Sequence, residues 1–310
     1  MADSNQMPIA DIARRDLLVA GAGAAAFAAA IVGGGAVLAQ TTPGPAAAPG
    51  APAGTVDVER RGGVLLVGIN RPQAQNRLDP AILIGLGKAY YQLEHDDALR
   101  VAVLYGIGPD FSVGADLPAL AAGLKAGILP PKDPDYINPF GLRPPVRTKP
   151  LVAAVQGGTK FGGHELFLAA DIRVAATDSV FSQGEVARGV FPGAGGTIRF
   201  TREAGWGNAM RYMLTGEEWG TEEAHRMGLV QDVTPPGQQL DRAVALANKI
   251  AAAAPLGVRA TLTSAHLAVG NEDAALLALG PAFQQILQSE DAQEAQRARL
   301  EHRAPAYLGR

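Results

Sequence analysis

The sequence predicts an α/β fold that gives way to an all-helical C-terminal region, and three observations carry that expectation. Short β-branched apolar runs, such as "LRVAVLYGI" (99–107) and "PLVAAVQG" (150–157), alternate with segments whose apolar residues recur at helical spacing. From Gln238 onward, four amphipathic stretches succeed one another with no strand pattern between them. The 310 residues are 47% apolar and 18% charged, enough to bury a sizeable core in one large domain with appendages.

The elements can be placed in order. Residues 12–40, "IARRDLLVAGAGAAAFAAAIVGGGAVLAQ", set a pair of arginines before a long uncharged run that ends in Val37-Leu38-Ala39, with small residues at the two positions a signal peptidase reads. That is the layout of an export signal of the twin-arginine type over residues 1–39, and it implies a periplasmic protein. The alternatives are an N-terminal membrane anchor or a chain kept in the cytoplasm. Residues 40–54 are a Pro/Ala/Gly linker with nothing to bury. A folded core over 55–237 and a helical region over 238–310 follow. "VDVERRGGVLLVGIN" (56–70) reads as a hairpin turning at Gly62-Gly63, and "DPAILIGLGKAYYQLEHD" (79–96) as a helix opened by Asp-Pro. "ELFLAADIRVAA" (165–176) is a short helix running into a strand. The Pro-rich stretch from Leu117 to Lys149 is longer than an ordinary connection, as functional lids often are.

Composition narrows the function. A net charge of -3 and a pI near 6.0 argue against nucleic acid as the main partner. The absence of cysteine removes disulfides, thiolate metal sites and cysteine nucleophiles. The five histidines show no ligand spacing, so no metal is expected. No Gly-x-Ser-x-Gly elbow is present, and in "GGTKFGG" Thr159 precedes Lys160, so the order of a nucleotide phosphate loop is missing. What remains is a strand leaving into a helix through paired glycines, "KFGGHELFLAADI" (160–172), and a second glycine turn, "FSVGADL" (111–117). Both can present free backbone N–H groups to a developing oxyanion.

These segments, taken together, resemble the crotonase, or enoyl-CoA hydratase/isomerase, superfamily. "INRPQAQNRLDP", "DFSVGADL", "KPLVAAVQGGTKFGGHELFLAADIRVAA", "FSQGEVARGVFPGAGGTIRF", "LTGEEWGTEEAHRMGLVQDV" and "SEDAQEAQ" occur in the family's order, covering Val56 to Tyr307. The resemblance implies a spiral of ββα turns whose C-terminal helices assemble a homotrimer, often paired into a hexamer. It implies that the amides of Ala115 and Gly162 form an oxyanion hole, with Gly114, Gly163, Arg77 and Asp116 lining the substrate site. Glu165 and Glu185 match the two catalytic glutamates of the hydratases, 185 − 165 = 20 positions apart. One would take a proton from water as it adds to Cβ, and the other would deliver one to Cα. His164, next to Glu165 on a helix, is expected to pack rather than react. The substrate implied is a small-molecule acyl thioester, with coenzyme A as part of that substrate and no separate cofactor.

The sequence departs from the pattern in three respects. Arg299 and His302 stand where a phenylalanine and a lysine commonly contact the nucleotide, and Arg77 replaces a small residue. An export signal also sits oddly with a cytoplasmic thioester. Three readings follow. The first is a hydratase-type lyase. The second is a hydrolase or isomerase of a substrate without coenzyme A, such as a cyclic diketone, passing through an enolate. The third is a non-catalytic periplasmic scaffold.

Overall fold

A computed structural model describes residues 52–310; the proposed export signal and most of the linker lie outside the described residues. The described part starts with the expected hairpin, β1 (Thr55–Arg61) and β2 (Val64–Asn70), paired antiparallel across Gly62-Gly63 with Gly62 at φ +59°. Only β2 is buried along its length, so β1 is the solvated edge strand. Next comes α1 (Pro80–His95), where Asp79 accepts the N–H of Ile82 at 2.8 Å and Pro80 fills the first turn.

From there the chain spirals. β3 (Val101–Gly106), α2 (Leu117–Lys125), β4 (Leu151–Val155), β5 (Gly158–Lys160), α3 (Gly162–Leu168), β6 (Ile172–Ala176) and β7 (Val180–Ser182) follow in turn. Two short helices, α4 (Gly196–Ala204) and α5 (Trp206–Thr215), then lead to β8 (Trp219–Gly220), α6 (Thr221–Arg226) and β9 (Asp232–Thr234). The strands sort into a six-stranded sheet, ordered β1-β2-β3-β4-β6-β9 and parallel from β2 onward, and a three-stranded sheet, β5-β7-β8. In the middle turns of the spiral, β4 and β6 of the large sheet are each followed by a three-residue strand of the small one, β5 and β7. The near-continuous apolar runs of β3 and β4 follow from this, since both faces of a parallel sheet are covered.

The first face carries α1, α3 and the large aromatic residues Phe111, Phe167, Phe181 and Phe200. The second is covered by α7 (Gln239–Ala251), whose Ala243 and Ala247 pack on Val64, Val103, Val152 and Val174. The first helix after Gln238 therefore seals the core sheet. The remaining helices, α8 (Pro255–Gly270), α9 (Glu272–Leu287) and α10 (Glu290–Leu300), stand out from it, and α9 exposes Leu276, Leu277, Leu279, Phe283 and Leu287. No described helix is long and apolar enough to cross a membrane.

Candidate active site

The paired glycines have separate physical reasons. A Cβ on Gly163 would lie 2.2 Å from the carbonyl oxygen of Ser112, so only glycine lets α3 press against the Ser112–Ala115 turn. A Cβ on Gly162 would stand at an ordinary contact distance, 3.6 Å, from the nitrogen of Ala115, so Gly162 lies against the turn that carries the other amide. Gly114, at φ +98°, lies so close to Phe161 and Gly162 that its own Cβ would be 2.8 Å from the Cβ of Phe161. Gly163 and Gly114 therefore shape the site by permitting contact. Among the described residues, neither the amide of Ala115 nor that of Gly162 donates to a protein acceptor. Phe161, just ahead of α3, adopts φ +54°, a strained conformation for a non-glycine residue that turns the chain into the site.

Glu165 is fully buried. Its Oε1 accepts two backbone N–H bonds, from Ala194 at 2.7 Å and Gly196 at 2.9 Å, while its Oε2 has no partner among the described residues. Glu185 opens a short 3₁₀ turn (Glu185–Arg188) and is also buried. Its Oε1 accepts the side-chain amide of Gln183 at 2.7 Å, and its Oε2 likewise has no partner among the described residues. In each carboxylate one oxygen is held by the protein and the other is not. A Cβ at Gly196 would fall 3.0 Å from Glu165 Oε1 and 3.1 Å from Gln183 Cδ, which shows how tightly this glycine lies between the two supports.

Burial pushes the Glu165 carboxyl up to about 8, with the charge of Glu185 adding to the effect and the two backbone bonds opposing it. Burial pushes Glu185 to about 7, partly offset by backbone and Gln183 hydrogen bonds and by Arg188. Near neutrality, such a pair has a proton to give and a free base to receive one. The same shifts bear on stability. Both carboxyls bind protons more tightly folded than unfolded, so the folded state is favoured most below the ordinary carboxylate range. That advantage is lost as pH rises through about 7 and 8. Glu165→Gln and Glu185→Gln should therefore unfold at higher temperature than the parent at about pH 9, with the gain shrinking towards about pH 5. A melting-temperature difference independent of pH would contradict the shifts.

His164 is fully buried among Phe167, Phe181, Phe200 and Trp219, and its pKa is driven down to about 3, chiefly by burial. It packs, as expected, and it also does more. As a neutral ring protonated on Nδ1, it donates to the Gln183 side-chain oxygen, which fixes the Gln183 amide so that its NH₂ faces Glu185. Gln183, Ala194 and Gly196 were not singled out in the sequence. The available signal was Gln183 two residues before Glu185 and the glycines of "FPGAGG".

Asp116 sits at the head of α2, where its side chain accepts the N–H of Ala119 and pairs with Arg71 at 2.7 Å. Its carboxylate is engaged in building the turn that presents Ala115. Arg71 also approaches Asp79 at 3.6 Å, which ties the heads of α1 and α2 together. Arg77 is half-buried beside this cluster, and burial lowers its pKa. A cation the sequence reading missed, Arg188, stacks its guanidinium 3.7 Å over the Phe161 ring and feels the charge of Arg77. Arg299 and His302 lie exposed in the C-terminal region.

Ala115, Gly162, Glu165 and Ala194 line one small cavity of about 30 Å³, closed by apolar side chains that include Leu78, Leu83 and Leu120. The Pro-rich segment after α2 supplies Leu129, Tyr136, Asn138, Phe140 and Leu142 to its wall. The long connection thus encloses the site, as its length suggested.

A family model described as Enoyl-CoA hydratase/isomerase matches residues 59–310. The chain belongs to the enoyl-CoA hydratase/isomerase family. Within this crotonase superfamily, the chain is 34% identical over 265 residues to the enoyl-CoA hydratase EchA19 of Mycobacterium tuberculosis, a match covering 82% of this chain and 96% of that protein. It is 36% identical over 263 residues to the (E)-benzylidenesuccinyl-CoA hydratase of Thauera aromatica, covering 82% and 99%. Its fold matches the crystal structure of a probable enoyl-CoA hydratase/isomerase from Mycobacterium abscessus with a TM-score of 0.79 and 45% identity, over 83% of this chain and 99% of that one. Family membership makes the chain an enzyme of hydratase-like type.

Proposed function

We propose that the protein is a 2-enoyl thioester hydratase that adds water across the α,β double bond. The observation that carries this reading is the pair of buried, electrostatically coupled glutamates, each with one oxygen held and one without a partner among the described residues, Glu165 lining the same cavity as the amides of Ala115 and Gly162. The thioester carbonyl accepts from Ala115 and Gly162, which stabilise the enolate oxygen as charge develops. One glutamate deprotonates the water attacking Cβ, and the other protonates Cα on the same face. The names of the relatives, hydratases of coenzyme A thioesters, point to the carrier. The two guanidiniums near the strained Phe161 turn, Arg77 and Arg188, support an anionic carrier, and the exposed apolar stripe of α9 supports assembly with further copies of the chain. The twin-arginine pattern supports a periplasmic location. A hydrolase or isomerase of a substrate without coenzyme A is the second reading, favoured only by that pattern.

Binding of the carrier is tested by thermal unfolding with coenzyme A at micromolar to millimolar concentrations. A rise in the unfolding temperature that saturates with concentration is expected. An unchanged unfolding temperature would shift the reading to a substrate without coenzyme A.

A further inference from the structure

Resting on the hydratase reading, we propose that Phe140 is a partition that restricts this enzyme to short acyl chains. Phe140 and Asn138 border the 30 Å³ cavity at the two amides and also a second, larger chamber of about 550 Å³. One aromatic side chain and its neighbour thus stand between a small catalytic cavity and a large space directly beyond it. A water-sized group needs roughly 10–15 Å³ of such volume, so about two or three fit in the inner cavity. Counted beyond a carbonyl carbon held at the amides, that is room for a chain of about three or four carbons.

The partition is seated from both sides. Asn138 Oδ1 accepts the N–H of Phe140 at 3.0 Å and of Leu142 at 3.3 Å, and Arg199 donates to the Phe140 carbonyl at 2.6 Å. Next to it Tyr136 packs on α1, where Gly87 makes room: a Cβ there would be 2.1 Å from the tyrosine ring. The wall is therefore built into the fold by named contacts. Beyond it the chamber offers Val146, Leu168, Leu262 and Val269 as apolar surface, with a charged side that includes Asp171, Arg199, Arg202 and Glu203. A longer tail has somewhere to go once Phe140 is removed.

The test compares kcat/KM for enoyl-CoA thioesters of four, six, eight and ten carbons in the parent, Phe140→Leu and Phe140→Ala. A pocket wall that admits or rejects a few methylenes changes kcat/KM by roughly 10–200-fold. The parent should lose at least about tenfold between four and eight carbons, Phe140→Ala should reverse at least about tenfold of that loss, and Phe140→Leu should fall between. Phe140→Leu keeps the proposal testable if the alanine variant does not fold. In parallel, unfolding temperatures are measured with saturated acyl-CoA thioesters of the same lengths, a binding readout that needs no turnover. A parent indifferent to length, or folded variants that keep the parental profile, would overturn the partition while leaving the hydratase reading intact. If no thioester of any length is turned over or raises the unfolding temperature of the parent, the hydratase reading itself fails, and the partition with it.

Discussion

Glu165→Gln and Glu185→Gln are each expected to lower kcat for hydration of a short enoyl thioester by roughly 10²–10⁴-fold, the range for a positioned acid or base. The fold should survive both changes. In Glu165→Gln the amide oxygen can still accept from Ala194 and Gly196, and in Glu185→Gln it can still accept from Gln183. What is lost is the proton chemistry of the second oxygen, which has no partner among the described residues in each case. Because both groups serve one reacting unit, the double variant should be little worse than the weaker single variant. Circular dichroism and melting curves check the fold, and initial rates check the loss. Parental turnover in both folded variants would refute the division of labour between the two carboxylates.

The second large effect concerns the backbone. Ala115→Pro removes one N–H and no hydrogen bond that the structure makes, since the neighbouring bonds use Leu78 N to Gly114 O and Asp116 N to Leu78 O. Gly114, which precedes it, is the residue type that best tolerates a following proline. The expected cost is at least about 3 kcal/mol in the transition state, or roughly 10²-fold or more in kcat, because the loss of one oxyanion donor is joined by a ring Cδ standing where the N–H pointed. A mere rise in KM at constant kcat would mean that the amide holds substrate and transition state equally, contrary to its assigned role.

How much of this could be read beforehand depended on how local the signal was. The Gly62-Gly63 hairpin and the Asp79-Pro80 helix start were legible because turn chemistry and capping act within four residues. Glu165 and Glu185 were open to proposal because two residue types able to act as acid and base stood in a recognisable pattern 20 positions apart, and the structure buries both. Their supports were not. Gln183 lies 19 positions from His164, and Ala194 and Gly196 hold Glu165 through main-chain N–H groups that any residue but proline carries. Asp116 shows the opposite difficulty: its side chain is conspicuous in "VGADL", yet it caps α2 and pairs with Arg71. Arg188 and Phe161 meet only because the 3₁₀ turn folds back over the entrance to α3. The role of α7 as the cover of the second sheet face was hidden for the same reason, since an amphipathic pattern shows that a helix buries a face without naming the surface it meets.

The most direct measurement of the central claim is the fate of oxygen when a 2-enoyl thioester is incubated with the enzyme in ¹⁸O-water. Two amides holding the thioester carbonyl while paired carboxylates handle water at the adjacent carbons should yield a 3-hydroxyacyl thioester with the label on C3 and the thioester intact. Label recovered in a carboxylate released from its thiol, or a displaced double bond with no label, would contradict the account.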